Sequence, residues 1–178
     1  MSRINNILAG VAVLLLSCKE QSTDPESSTG TVTDTDRNVY KTLKIGNQWW
    51  MAENLKVTHY ANGDSIPFIK FGRDWGNITS GAYCFFMNDS VNATIYGNLY
   101  NRFAADDQRS IAPEGWHVSS DEEWLTLINF LGGDSIAGGK MKELGSERWK
   151  DVHVNASNES GFQPYQAGEE KDIAVLSA

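Results

Sequence analysis

An apolar run near the N-terminus that ends at a cysteine decides how much of this chain is left to fold. Arg3 supplies a positive charge, residues 7–17 are apolar or small, and Cys18 follows them. The run is too short to span a bilayer, and this arrangement is typical of a secretory signal segment. We therefore expect residues 1–17 to be removed and the fold to lie in the remainder.

The four residues Leu15-Leu16-Ser17-Cys18 resemble the lipobox of bacterial lipoproteins. That resemblance implies cleavage before Cys18, acylation of its thiol and amine, and anchoring in a membrane by several acyl chains. Lys19 stands where an aspartate favours inner-membrane retention in some bacteria, so we expect a cell-envelope location, at the outer membrane rather than the inner one. An ordinary secretory segment with an incidental cysteine is the alternative.

Charge and cysteine content restrict the partners and the cross-links. The net charge of −8 leaves no basic patch, so we expect no nucleic-acid partner and no attraction of the protein surface to anionic lipid. If Cys18 is lipidated, Cys84 has no partner for an intrachain disulfide. No positive charge lies near Cys84 in the sequence, which predicts a buried, inert thiol.

The composition separates a tether from one folded domain. Residues 18–35 are rich in Ser and Thr and poor in large apolar side chains, which predicts a lipidated cysteine followed by a disordered tether. From Asp36 onward, Val39, Leu43 and Ile45 alternate with polar neighbours, and Gly46-Asn47 offers a hairpin turn into residues 48–52. Trp49 and Trp50 then point to opposite faces, one into the core and the other under a loop, with an exposed ligand-stacking tryptophan as the alternative.

Further elements predict an α+β fold of small antiparallel sheets with one or two helices. Frequent turn-forming residues indicate loops over residues 62–81, and aromatic runs predict a buried strand over 81–87 and an extended segment over 95–101. A helix is predicted from Asp121 to Leu131, capped by Ser119 or Ser120, with a shorter helix over residues 135–144. The apolar face of the Asp121–Leu131 helix comprises Trp124, Leu127, Ile128 and Leu131.

No motif predicts a catalytic residue, a cofactor or a metal. His59, His117 and His153 lie far apart and lack metal-ligand spacing, and His117 is interpreted as a local hydrogen-bonding residue rather than a general base. Asp106-Asp107 reads as a solvated turn, with calcium binding as the alternative. The acidic residues 121–123 complement the helix dipole rather than a metal. Three Asp-Ser-apolar triplets, at residues 64–66, 89–91 and 134–136, match a short O-glycosylation pattern.

Several segments together resemble the Fibrobacter succinogenes major paralogous domain over residues 36–164, within a domain placed at 36–168. Members of that family are exported and often lipidated, and they have no assigned catalytic residues. The segments that carry the resemblance occur in the family's order: Asn38–Lys56, Gly81–Cys84, Tyr96–Asn101, Ala112–Val118, Asp121–Trp124, Ala137–Lys142 and Asn158–Phe162.

Two further comparisons with families concern the fold. Residues 116–120 are similar to segments of C-type-lectin-like domains and of the related formylglycine-generating enzymes, although the lectin calcium motifs are absent. After Phe162 the sequence departs from the family pattern, and residues 169–178 form a non-family tail. We therefore expect a truncated domain whose hairpin and helix lose the strands that should cover them.

The sequence thus predicts a non-enzymatic envelope lipoprotein with a role in binding, adhesion or structure. A glycan-binding module is the alternative, with Trp75 in the loop-rich stretch as its candidate ligand-binding residue. The partners expected are the membrane through Cys18, and a glycan or an envelope protein. An enzyme dependent on Cys84 and a non-functional truncated copy are the remaining hypotheses.

Overall fold

The computed structural model describes residues 28–70, 72, 74–142, 156–162 and 176–178. The strands in chain order are β1 (Thr29–Thr33), β2 (Val39–Ile45), β3 (Gln48–Met51), β4 (Tyr83–Phe85), β5 (Asn98–Tyr100), β6 (His117–Val118) and β7 (Leu176–Ser177). The α-helices are α1 (Ala93–Tyr96), α2 (Arg102–Ala105), α3 (Asp121–Phe130) and α4 (Asp134–Met141). Three short 3-10 helices cover Trp75–Asn77, Phe86–Asn88 and Ser90–Asn92.

The strands form two antiparallel sheets. The larger sheet has the order β1-β2-β3-β7-β6, and β4 pairs with β5 in the smaller one. This mixture of small antiparallel sheets and a few helices confirms the predicted α+β class. The closer likeness to C-type lectins stays a prediction.

The predicted hairpin is confirmed. Ile45 pairs with Gln48, so only Gly46 and Asn47 remain in the turn, and Gly46 adopts a φ of 61° that favours glycine. Trp50 is 0% exposed, whereas the half-buried Trp49 lies against Gly30 of β1 instead of under a loop. The two tryptophans therefore serve opposite faces of the sheet, as their adjacent positions on a strand require.

Strand β2 is covered on both faces. Tyr40 is 0% exposed and Thr42 is buried, whereas Val39 is 57% exposed, so the prediction that Val39 shares a buried face with Leu43 and Ile45 is wrong at the start of the strand. The tyrosine ring buries more area than a valine side chain, and its hydroxyl finds a hydrogen-bond partner inside. The sheet consequently separates two apolar cores.

The first core lies on the Tyr40 face and the second on the Trp50 face. The buried members of the first are Tyr40, Met51, Leu55, Val57, Tyr60, Ile66, Tyr83, Tyr100, Ala104, Ile111 and Ala112. Those of the second are Ile45, Trp50, Leu127, Leu131, Ala137 and Phe162. The Trp50 ring lies 5.0 Å from Trp124 and 5.8 Å from Phe162, between centroids, in tilted and edge-on arrangements that aromatic rings prefer.

Strand β1 corrects the predicted tether. Residues 18–35 were expected to be disordered, yet Thr29–Thr33 pairs along its whole length with β2, and Val32 packs against the first core. The prediction is wrong there because β-branched Thr and Val side chains favour strands even where few large apolar residues are present. Asp34 then turns the chain: its carboxylate accepts hydrogen bonds from the Asn38 backbone (2.8 Å) and from the Tyr40 hydroxyl (2.6 Å).

The predicted main helix is confirmed as α3. Ser120 caps it and exchanges reciprocal hydrogen bonds with Glu123, forming a capping box, and the helix ends beside Leu131. Its apolar face packs on the second core, with Leu127 0% exposed. The expectation that the hairpin and the helix lose their cover is therefore wrong for Trp50 and Leu127, which lie among Trp124, Phe162 and α4.

Other predicted boundaries shift. The predicted strand over residues 81–87 forms only as Tyr83–Phe85, and Met87 is 77% exposed with a φ of 55°. The second helix spans Asp134–Met141, and the remainder of its predicted range lies partly outside the described residues. Residues 176–177 of the predicted tail form β7. Across the described ranges, no helix has the length and apolar character needed to cross a bilayer.

Candidate functional site

Trp75, the candidate ligand-binding residue, lies in the 3-10 helix Trp75–Asn77 and is half-buried. It packs with Phe86 and Tyr96 around a small cluster formed by Cys84 and Leu99. The Phe86 and Tyr96 rings lie 5.1 Å apart at 61°. Trp75 therefore belongs to a partly exposed aromatic layer and contributes packing as well as accessible surface.

Cys84 lies beneath this layer and is 0% exposed. Its burial on β4, opposite Leu99 of β5, agrees with the predicted role as a small apolar residue. A thiol in this position offers no surface to a substrate in the native state. Cys18, the predicted lipidation site, lies outside the described residues.

A twelve-residue excursion connects β4 to β5 and is here called the β4–β5 loop (residues 86–97). Its ends are held together because Phe85 pairs with Asn98, and its interior comprises two 3-10 helices and α1. Gly97 closes it with a φ of 69°, and a Cβ there would lie 2.6 Å from the Leu55 carbonyl oxygen. Only glycine permits that approach, so the loop is fixed tightly against residues 54–55.

Hydrogen bonds within the β4–β5 loop and from Asn54 accompany an uncommon backbone conformation in the loop. Met87 and Asn88 both have positive φ, 55° and 57°, in a region that non-glycine residues seldom adopt. The Asn92 amide donates to the Phe86 carbonyl oxygen (2.9 Å), and the Asn54 amide donates to the Tyr96 carbonyl oxygen (2.8 Å). Such strain persists where surrounding contacts enforce it, and it concentrates at functional sites.

Three apolar side chains project from this loop: Met87 is 77% exposed, Val91 65% and Ile95 41%. Val91 and Ile95 lie four residues apart in a continuous helical stretch, so they share one side, while Tyr96 packs inward. We call these three residues the apolar loop surface. A sheet-anchored loop that presents apolar side chains to solvent has the form of a contact surface for a partner.

A carboxylate–imidazole pair joins two distant segments. The Asp36 carboxylate lies 2.6 Å from Nδ1 of His59 and accepts hydrogen bonds from the backbone and the hydroxyl of Thr58. Burial raises the pKa of Asp36, but the hydrogen bonds from Thr58 and His59 outweigh it, so the pKa lies below its ordinary value of 3.8. The pair clips the turn after β1 to the segment after β3.

No sequence signal identified the Asp36–His59 pair, because the two residues are separated by twenty-three positions. A histidine oriented by a carboxylate can act as a general base when its other nitrogen faces a nucleophile. Here the neighbouring hydroxyl, on Thr58, donates to the carboxylate itself. The Thr58 hydroxyl also lies 3.2 Å from Nδ1 of His59, so Asp36, Thr58 and His59 form one hydrogen-bonded group.

His117 makes the predicted local hydrogen bond. Its Nε2 lies 2.7 Å from a carboxylate oxygen of Glu123, whose other oxygen accepts from the Ser120 backbone. Burial raises the pKa of Glu123, but these hydrogen bonds lower it by more than burial raises it. The pKa of Glu123 therefore lies below its usual range. The acidic first turn of α3 thus contributes its Glu123 to helix capping, in agreement with the dipole interpretation.

The carboxylates of the Asp106-Asp107 turn form ion pairs with arginines. Arg109 binds both oxygens of Asp107, at 2.9 Å and 2.7 Å, and also reaches Asp64, while its guanidinium lies 4.0 Å from the Tyr60 ring centroid. These hydrogen bonds hold the pKa of Asp107 well below its usual range.

Within the described ranges, no group of three or more His, Cys, Asp or Glu side chains is placed to hold a metal. The three serines of the Asp-Ser triplets, Ser65, Ser90 and Ser135, are exposed.

Comparison with known proteins identifies the family of the chain. A family model described as the Fibrobacter succinogenes major domain matches residues 43–174, most of the chain, and confirms the resemblance predicted from the sequence. No curated protein and no solved structure matches the chain significantly.

Proposed function

The chain belongs to the Fibrobacter succinogenes major domain family, and from this premise we propose that it is a lipid-anchored, non-catalytic cell-envelope protein that binds a protein partner. The observation that carries the proposal is the apolar loop surface of Met87, Val91 and Ile95. Cys18 is the anchor in this proposal, and the β4–β5 loop is the binding element. The location at the outer membrane follows from the residues around Cys18.

Support for a non-catalytic role comes from how the titratable pairs are used. The Asp36 carboxylate is engaged by Thr58 and His59, and that of Glu123 by Ser120 and His117. Each pair fixes one chain segment to another. Joining segments is a structural use of these carboxylates, which supports a non-catalytic role.

Support for a protein partner comes from the chemistry of the loop. Met adapts to irregular apolar surfaces, and the neighbouring Val91 and Ile95 add area on one side of a short helical stretch. The tight fixation at Gly97 lowers the entropy cost of ordering this surface on binding. A rigid apolar loop on a polar domain matches an apolar patch on another protein.

The anchor is tested by fractionating cells that express the full chain. We expect the wild-type protein to sediment with membranes and to carry acyl chains on Cys18, detected as added mass, whereas the Cys18→Ser variant should lack that mass. Cys84→Ser is the matched control and should still sediment, since Cys84 is buried in the fold. A wild-type protein that is soluble, or that carries no acyl chain on Cys18, would contradict the anchor.

The partner surface is tested by placing a photo-crosslinking amino acid at Met87 in the full chain and irradiating living cells. We expect a protein adduct of defined mass at this position. Val39 is the control site because it is similarly accessible, at 57% exposure, but lies on β2. An adduct that forms equally at both sites, or at neither, would rule out the β4–β5 loop as the binding element.

Glycan binding is the second candidate, and the aromatic layer of Trp75, Phe86 and Tyr96 favours it. Sugars stack on partly exposed aromatic rings. Trp75→Ala should then abolish retardation of the protein in gels that contain envelope polysaccharide. Because Trp75 also packs on the Cys84 cluster, thermal unfolding must be measured in parallel, and Trp75→Phe is the matched variant that keeps most of the packing. Retardation that survives Trp75→Ala would exclude this candidate.

A further inference from the structure

Ser28, the first residue that the structure describes, lies beside an exposed aromatic residue. Ser28 accepts a hydrogen bond from the Lys44 backbone (2.9 Å) and lines an open cleft of about 960 Å³ together with Gly46, Phe130 and Lys140. We call this region the tether-side corner. It is formed by Ser28, Lys44, Gly46, Asn47, Phe130 and Lys140.

The length of chain upstream of Ser28 limits how far this corner sits from the anchor. Ten peptide units separate Cys18 from Ser28, so a fully extended chain spans at most about 35 Å. Among the described residues, Ser28 is the nearest to Cys18 along the chain, so its corner lies within that distance of the proposed anchor. From this placement, and resting on the proposed anchor at Cys18, we propose that the tether-side corner faces the membrane and inserts Phe130 among the lipid headgroups.

The side chains of the corner suit that position. Phe130 is 55% exposed although it is a large apolar residue, and its ring lies against Gly46, where an added Cβ would come within 2.9 Å of it. The turn therefore supports the ring from below while the outer part stays accessible. An apolar ring held in this way gains free energy by entering the headgroup region.

Two lysines line the same cleft as Phe130. Lys44 is exposed on β2, and Lys140 lies 3.5 Å from the Glu159 carboxylate. Amino groups beside an apolar residue favour the phosphate level of a bilayer. The net charge of −8 opposes attraction of the whole protein to anionic lipid, so the acyl chains must bring this corner to the surface. The contact then sets the orientation of the domain.

The test uses the full acylated protein in vesicles of phosphatidylethanolamine and phosphatidylglycerol. A Phe130→Cys variant carries an environment-sensitive fluorophore, and lipids with a nitroxide near the headgroup serve as quenchers. Native Cys84 is 0% exposed and stays unlabelled. We expect blue-shifted emission and strong quenching from this site. Asn47→Cys, on the neighbouring turn, provides a second label in the same corner.

Val39→Cys is the matched control because Val39 is 57% exposed at the opposite end of β2. Its label should show neither the shift nor the quenching. Equal quenching at residues 39 and 130, or quenching at neither site while the protein still floats with vesicles, would overturn the orientation and leave the anchor intact. A protein that does not float would overturn the anchor and the orientation together. A blue shift without lipid quenching would indicate contact with a second copy of the chain and also overturn the proposal.

Discussion

At the scale of the residue, Asp36 shows how one carboxylate can connect segments that the sequence keeps apart. It accepts hydrogen bonds from Thr58 and lies 2.6 Å from His59. Such charge-assisted hydrogen bonds are stronger than neutral ones. Because the folded pKa lies below its ordinary value of 3.8, Asp36 stabilises the fold above that pH, and the contribution is lost as the pH falls and the carboxylate is protonated.

Asp36→Asn should therefore change the pH dependence of stability. We expect the variant to lose about 1 kcal/mol of unfolding free energy at pH 7. The gap between the variant and the wild type should narrow below about pH 4, because the wild-type carboxylate is then protonated as well. Urea denaturation at a series of pH values from neutral to acidic measures this gap. A gap that stays constant throughout would show that Asp36 acts through packing alone.

At the scale of the element, the sequence predicted the elements whose form depends on interactions between residues close along the chain. The two-residue turn at Gly46-Asn47 and the capping box of Ser120 and Glu123 lie within a few residues of the elements that they shape, so the hairpin and α3 were predictable. Strand β1 was not, because its stability comes from pairing with β2 and from Asp34, which binds the Tyr40 hydroxyl. The amino-acid composition of residues 18–35 gives no information on those contacts.

Removal of β1 tests its contribution. A chain that starts at Asp36 loses the whole β1 ladder and the Asp34 carboxylate, and it leaves the buried Tyr40 hydroxyl without that partner. We expect it to be less stable than a chain starting at Ser28 by about 3 kcal/mol or more, from lost hydrogen bonds and lost apolar burial. Urea unfolding midpoints compare the two, with the chain from residue 18 as reference. Coincident midpoints for all three would mean that β1 adds nothing.

At the scale of the whole molecule, one sheet divides the interior into two cores. Tyr40 and Met51 face one of them, and Ile45 and Trp50 face the other. Both cores therefore depend on the same two strands, β2 and β3. The sequence indicated the apolar positions but not this division. Opposite faces of a short strand give the same alternation whichever face is counted as buried. The β4–β5 loop escaped prediction for another reason, since its form depends on contacts with residues 54–55.

Two substitutions test whether the cores unfold together. Leu127→Ala empties part of the second core and Leu55→Ala part of the first, and both side chains are at most 1% exposed in the native fold. Each should cost about 2–5 kcal/mol. Tryptophan fluorescence follows Trp50 and Trp124 in the second core and Trp116 beside the first, while near-ultraviolet circular dichroism also follows the tyrosines. We expect both probes to shift together in either variant. A substitution that moves only one probe would mean that the cores are independent.

With the proposed anchor at Cys18, the hydrogen bond between Lys44 and Ser28 also marks the boundary at which a protease would release the domain from a membrane. A protease that cuts anywhere upstream of Ser28 leaves the β1 ladder and the Asp34 turn in place. Shedding at such a site would yield a diffusible domain that still carries Met87, Val91 and Ile95. A cut within β1 would instead remove the edge strand of the sheet, so the position of the cut would decide whether the released domain keeps all of its strands.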